Sequence, residues 1–425
     1  MPAAAADLPR PLSEADFPET DPAKAKIGQL LFYDKILSGN RNISCGTCHH
    51  HDLGGGDGLS LGIGEGGVGL GPDRKPGDGV TRIRKRIPRN APPLWNLAAK
   101  DITVLFHDGR LEVSDLYGNG FNSPAQEWLP EGLDSVLAAQ ALFPMTARFE
   151  MAGDPEENEL GGATHDRIDN VWPIVADRVR AIPAYADMFV DAHDDIDTSA
   201  DITITHIVNS LAAFMGTEWM NFDSPFDAYL GGDTTALSPA AMAGMQLFYG
   251  DAGCATCHSG PLMSDQSFHA IALPQFGPGK TRQFDLMPRD VGRMGESDRL
   301  EDAYRFRTPM LRNVALTGPY GHNGAYATLE GIVRHHLDPL GSLDAWTPED
   351  AKLASVPWLE KVDFIVALDT REGERHRRAV DIEARAMSDA EVAEIVAFLE
   401  SLTGQTALKR PLGRPESVPS GLPVD

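Results

Sequence analysis

Residues 45–51 read CGTCHHH, and residues 254–258 read CATCH. Together they hold all four cysteines of the chain, Cys45, Cys48, Cys254 and Cys257, each pair spaced C-x-x-C and followed at once by histidine. Two thiols two residues apart can add across the two vinyl groups of one haem, and the adjoining histidine is then placed to bind the iron. An all-thiolate zinc site is a second reading of two C-x-x-C pairs, but it leaves the histidine after each pair unexplained. A redox disulfide is a third, and it requires a thioredoxin-like βαβ setting that this sequence lacks. The pattern, occurring twice and using every cysteine, favours two covalent c-type haems and assembly outside the cytoplasm.

Each pair is preceded by a similar segment. IGQLLFYD (27–34) stands before the first and GMQLFYGD (244–251) before the second. Both have the apolar spacing of a helix and open on a cap followed by proline, Asp21-Pro22 and Ser238-Pro239. One unit, a helix then C-x-x-C-H, therefore occurs twice, as a duplicated domain would. A length of 425 residues also favours two domains. The expected organisation is an N-terminal extension over 1–20, a first domain over 21–235 and a second over 236–425. A third clear helix is SDAEVAEIVAFLESLTG, with a Ser388/Glu391 capping box and Gly404 as its expected stop. Alternating strand patterns are few, so the chain is expected to be mainly α with long irregular loops.

Composition narrows the partners. The net charge of −25 argues against nucleic acid and permits a basic partner protein. No apolar run is long enough to span a bilayer. The start, MPAAAADLPR, has no basic and apolar leader, which fits either a cytosolic protein or removal of a signal peptide; the covalent haems favour the second, and hence a periplasmic location. The stretch GIGEGG (62–67) formally matches G-x-G-x-x-G, but no strand pattern precedes it and no helix pattern follows, so a dinucleotide site is rejected.

Each haem iron has a second axial position, and whether it is open decides between catalysis and electron transfer. In TLEGIVRHHLDP (328–339), Thr328 suits an N-cap, and Leu329, Ile332, Val333 and His336 share one helix face. His335 lies about 100° away. An apolar stripe ending in His336 is the pattern expected of an axial ligand entering the second haem pocket.

These residues, with LFYDKILSGNRNISCGTCH, RNAPPLWN, FHDGR, FEMAG, AGCATCHSGPLMSD and RTPMLRNVALTGPYGHNGAYATLEGIVRHH, resemble the bacterial di-haem cytochrome c peroxidases and MauG-like enzymes over roughly Ala23 to Gly404. The resemblance implies two cytochrome c-like domains, each with one covalent haem, around an inter-domain calcium. The N-terminal haem would react with hydrogen peroxide and the C-terminal one would store or relay electrons. His49 and His258 would be the proximal ligands, Glu150 the distal acid and Gln140 a distal-pocket glutamine. Asn90, Thr317 and Pro319 would bind calcium, the last two through carbonyls, a hard-oxygen set suited to that ion. Members are often dimeric, so a homodimer is among the arrangements the resemblance allows.

Three departures stand out. Members that need reductive activation carry a loop histidine that closes the first iron; here Glu65 stands in that place, which implies a permanently open first haem. The usual tryptophan between the haems is replaced by His107, leaving His107, Trp95 and Phe106 as candidates for the electron route. His336 replaces the usual methionine or tyrosine and would make the second haem bis-histidine, with a lower potential than a methionine-ligated one. The implied activity is peroxide reduction with electrons from a small redox protein. Its rival is a MauG-like oxidation of a residue in a partner protein or peptide. A non-catalytic electron carrier is a third reading, disfavoured by Glu65 and Glu150.

Overall fold

The structure, a computed structural model, describes residues 7–282, Asp285 and residues 287–425. Residues 1–6 of the expected N-terminal extension therefore lie outside the described residues. Helices dominate. Those that matter for the site are α1 (Pro22–Tyr33), α2 (Val136–Ala141), α3 (Ile204–Glu218), α4 (Pro239–Tyr249), α5 (Leu329–Leu337) and α6 (Asp389–Glu400). Strands are confined to a three-stranded antiparallel sheet, β1 (Val104–Leu105), β2 (Leu111–Val113) and β3 (Phe121–Asn122), and an antiparallel pair, β4 (Phe268–His269) and β5 (Phe306–Arg307).

The caps form as the sequence suggests. The Asp21 carboxylate accepts from the N–H groups of Ala23 and Lys24, Ser238 from that of Ala241, and Thr328 from that of Gly331. Ser388 and Glu391 make the capping box of α6. That helix ends at Glu400, so Gly404 is not its stop. Gly404 instead donates its N–H to Asn313 Oδ1 at 2.9 Å, and a Cβ there would lie 1.9 Å from the Asn221 amide. Its lack of a side chain serves a tertiary contact.

The internal repeat is a repeat of packing. In the first domain α1 crosses α3; in the second α4 crosses α6. Gly28 on α1 and Gly244 on α4 occupy equivalent places in the repeat. A Cβ on Gly28 would stand 1.8 Å from the Ser210 carbonyl oxygen, and one on Gly244 would stand 1.8 Å from that of Glu394. Four residues beyond each glycine an aromatic ring closes the same core. Phe32 packs on Phe214 at 5.2 Å, and Phe248 packs on Phe398 at 5.1 Å. Residues 27–33 of α1 are buried on every side, rather than along one stripe. Because a backbone carbonyl cannot rotate away as a side chain can, Gly28→Ala or Gly244→Ala is expected to cost at least about 3 kcal/mol, the upper end of ordinary overpacking. A urea midpoint unchanged from the parent protein would refute the close crossing.

Two large apolar cores result, one centred on α1 and α3 and one on α4 and α6. Two segments pack outside the spans expected for them. Leu12 and Phe17, from the N-terminal extension, are buried in the first core, and so are Ala407 and Val418 from the far end of the chain. Between the domains lies a buried ion network. The Arg89 guanidinium bonds both oxygens of Asp290 at 2.7 and 2.8 Å and reaches Asp108 at 2.6 Å. Asp108 also meets Arg110 and Lys280, each at 3.1 Å. Burial works against ionisation of Asp108, but these three cations hold its carboxyl well below the usual range.

Candidate active site

The first cysteine pair forms a single helical turn, Cys45–Cys48, capped reciprocally by Ser44 and Thr47. A Cβ on Gly46 would lie 2.4 Å from the Tyr33 ring, so the small residue between the cysteines lets α1 lie directly over them. Burial pushes the thiols of Cys45 and Cys48 up to about 12, and that of Cys254 likewise. Thiolate metal sites do the reverse. None of the four cysteines is in a disulfide, and no metal-sized cluster of the described residues joins the two pairs. This chemistry fits thioethers.

Each histidine expected to bind iron has its tautomer set by the backbone. His49 Nδ1 bonds the Gly55 carbonyl at 3.0 Å, His258 Nδ1 that of Met263 at 3.2 Å, and His336 Nδ1 that of Ile332 at 2.9 Å. With Nδ1 carrying the proton, Nε2 presents its lone pair, and the hydrogen bond strengthens it as a ligand. Burial pulls the basicity of all three below the ordinary imidazole range, so they are neutral, as metal ligands must be.

In the second domain these groups surround one cavity of ≈ 540 Å³, lined by Cys254, Cys257, His258 and His336. That is the size of a cofactor pocket. The rings of His258 and His336 have centroids 6.3 Å apart. Two imidazoles sharing one metal require about 2 Å for each metal–nitrogen bond and about 1 Å from each nitrogen to its ring centre, about 6 Å in all. His335 is in no position to compete. Its Nδ1 accepts the Tyr326 hydroxyl at 2.9 Å, and its Nε2 bonds the Ile271 carbonyl at 2.7 Å. The cavity also holds a cation that sequence reading passed over. Arg307 is half-buried, bonds only carbonyls, of Phe106 at 3.2 Å and Thr308 at 3.3 Å, and has no carboxylate partner among the described residues. Burial draws it down to about 10. An uncompensated guanidinium facing the cavity fits the carboxylate side chains of a haem.

The first site is different. Glu150 sits in a π-helical turn, Arg148–Ala152, where the N–H groups of Glu150, Met151 and Ala152 all converge on the Ala147 carbonyl at 3.0 Å. It is half-buried, and its charge is felt at Cys48. Desolvation raises its pKa above the ordinary glutamate range against the opposing pull of Arg110 and Lys280. A carboxyl poised in this way can both take and give a proton. Gln140 lies on α2, which leads through the turn Pro144–Thr146 towards Glu150, and its side chain makes no hydrogen bond among the described residues.

The glycine-rich loop packs on the Glu150 turn. Glu65 N–H donates to the Phe149 carbonyl at 3.1 Å, and a Cβ on Gly64 would lie 2.0 Å from that oxygen. The Glu65 carboxylate is taken up by the amides of Asn40 and Asn42, both at 2.8 Å. Buried Arg74 ties the loop together by bonding the carbonyls of Ile63, Gly64 and Gly69 at 2.6, 2.9 and 2.6 Å. The loop is thus an ordered wall with no strand before it and only the short 3-10 turns Gly71–Asp73 and Gly79–Thr81 after it.

At the wall of the second cavity, His107 Nε2 bonds the Asn90 carbonyl at 3.1 Å, and burial with nearby Arg89 lowers it to about 4, so it is neutral. The His107 carbonyl accepts the Arg307 N–H at 2.8 Å, and Arg110 stacks on the Phe106 ring at 3.6 Å. Trp95 donates its indole N–H to the Gly54 carbonyl at 2.9 Å. Asn90, Thr317 and Pro319 line the same cavity as His258. The Asn90 amide N–H is spent on Leu59, while the carbonyls of Thr317 and Pro319 accept no hydrogen bond among the described residues. No helix among the described residues is long and apolar enough to cross a membrane.

The chain is similar to several known proteins. The sequence profile of the di-haem cytochrome c peroxidases matches residues 22–235. A methylamine utilization protein MauG of Methylorubrum extorquens is 31% identical over 319 residues, 74% of this chain and 69% of that protein. A cytochrome c551 peroxidase of Nitrosomonas europaea is 30% identical over 309 residues, 73% of this chain and 71% of that protein. The crystal structure of a MauG-like protein associated with microbial copper homeostasis superposes with a TM-score of 0.59, at 24% identity, covering 96% of this chain and 97% of that one, which is a likeness of fold.

Proposed function

The chain belongs to the di-haem cytochrome c peroxidase family, and from that premise we propose that hydrogen peroxide is reduced on the Glu150 side of the first site while the second site handles electrons. The protein is a peroxide-dependent oxidoreductase with two c-type haems. The observation that carries the division of labour is the asymmetry between the sites. His258 and His336 face each other at 6.3 Å in the second. In the first, Glu65, standing where related enzymes carry the closing histidine, is bound to Asn40 and Asn42.

When bound at His49, a haem supplies an open coordination position and the electrons for O–O cleavage. The protein supplies the rest. Glu150, as carboxylate, takes the proton of the inner peroxide oxygen and returns it to the outer one, which leaves as water. Its raised pKa keeps that exchange near balance. His49, fixed by Gly55, is held in one orientation and tautomer. Cys254, Cys257, His258 and His336 would hold the second haem, with Arg307 opposite its carboxylates. Two electrons and two protons complete the conversion of peroxide to two waters, and a small redox protein is the donor. Asn90, Thr317 and Pro319 are assigned to calcium, supported by the free carbonyls of the last two. Thioether attachment supports a periplasmic location.

The ferric protein is expected to give one high-spin and one low-spin signal in electron paramagnetic resonance. Two low-spin signals would overturn the open first site.

A second reading, oxidation of a residue in a partner protein, is favoured by His336, since a bis-histidine second haem is a poorer acceptor from high-potential donors. Peroxide added alone separates the two. An oxidised state that decays rapidly on adding a reduced cytochrome supports the peroxidase; one that ignores it supports protein modification.

A further inference from the structure

Residues 405–425 leave the second domain and lie along the first. Ala407 and Val418 are buried in its core, with Leu412, Leu422 and Val424 packed against it. The segment is held by polar groups the mechanism does not use. Gln29 donates its amide to the carbonyls of Leu412 and Gly413, both at 2.7 Å. Asp34 accepts the Ser420 hydroxyl at 2.6 Å. The Asp425 carboxylate accepts from Thr47, between the first two cysteines, and from Lys35.

The central contact is Glu218, at the end of α3, whose side chain is 0% exposed. One oxygen accepts the N–H groups of Leu412 and Gly413 at 2.8 and 3.1 Å. The other lies 2.8 Å from His51 Nε2. His51 Nδ1 in turn accepts the Tyr33 hydroxyl at 2.9 Å. Two backbone N–H groups satisfy the first oxygen, while the second makes no hydrogen bond among the described residues and meets only the His51 ring edge; removing the charge weakens both contacts.

His51 belongs to a short closed loop that carries His49. The Gly55 carbonyl accepts from His49 Nδ1 at 3.0 Å, and Gly55 N–H donates to the His50 carbonyl at 3.1 Å. Trp219, next to Glu218, backs this loop so closely that a Cβ on Gly55 would lie 2.9 Å from its indole nitrogen. The carbonyl that orients His49 is therefore pinned from the Glu218–Trp219 corner.

We propose that Glu218 positions the axial histidine of the first haem, acting through His51, and that residues 405–425 are the strap that holds Glu218 in place. The inference rests on His49 being that ligand. A carbonyl held at 3.0 Å from Nδ1–H makes His49 a stronger donor. Loosening the loop weakens that bond, so the potential of the first haem should rise.

The test uses the full-length haem protein carrying Glu218→Gln, Leu412→Pro or both. Leu412→Pro removes the N–H that Glu218 accepts, together with a side chain that packs on the first core, and changes no residue of the first domain itself. Resonance Raman of the reduced protein and spectroelectrochemistry of each haem are the readouts. Expected are a shifted iron–histidine band and a raised potential for the first haem, an unshifted second haem, and a double variant no more shifted than Glu218→Gln alone. Lowered thermal stability with unchanged band and potentials would make the segment a mere brace and overturn the proposal. His49→Gly tests the underlying reading separately: a first-haem spectrum that survives it means the ligand assignment failed, not the strap.

Discussion

Replacing His336 by alanine is expected to convert the second haem from low-spin to high-spin and leave the first unaltered. The adjacent histidine cannot step into the vacancy. His335, one residue away, is already bonded at both nitrogens, to Tyr326 and to Ile271. It is fully buried, and turning it towards the cavity would strand both partners. His335→Ala is accordingly expected to keep the low-spin signal while costing about 1–3 kcal/mol of stability through those stranded groups. The reverse pattern, with the low-spin signal lost in His335→Ala and kept in His336→Ala, would exchange the two assignments. Electron paramagnetic resonance of the two ferric variants decides it.

Glu150→Gln is expected to slow the reaction with peroxide by roughly 100- to 10,000-fold, the usual worth of a positioned acid–base group. Both haems should remain bound, since Glu150 touches neither cysteine pair by hydrogen bond. The pH profile adds a second check. Glu150 must be ionised to take the first proton, and burial raises its pKa above the ordinary glutamate range. The rate should therefore climb with rising pH through that elevated pKa, and the climb should vanish in Glu150→Gln. Stopped-flow mixing with peroxide across pH measures both. A normal rate in the variant would remove Glu150 from the reaction.

Much of this was readable before any coordinates. C-x-x-C-H is a local pattern: the spacing of thiols and histidine along five residues is set by covalent geometry, so the reading survives whatever surrounds it. The caps at Asp21, Ser238, Thr328 and Ser388 are equally local and form as expected. The same logic explains where reading failed. Gly404 looked like a helix stop because glycine is enriched there, but its role is a contact with Asn221, 183 residues distant in sequence by number alone. His51 follows His49 with no motif of its own. It joins Tyr33, Glu218 and a strap from the far end of the chain. Arg307 carried no motif, and only its burial beside the cavity, with no carboxylate partner among the described residues, marks it.

The sequence by itself determined that two haem-binding units are present, and it pointed to the two cysteine pairs as their tethers and to His336 as a candidate ligand of the second. Tertiary structure bonded both nitrogens of His335 and turned His336 towards His258, occupied Glu65 with two asparagines, and bent a π-turn under Glu150. The physical reason is range. Thioether spacing and helix capping depend on neighbours a few residues away, whereas hydrogen-bond partners and desolvation depend on which distant segments the fold brings into contact.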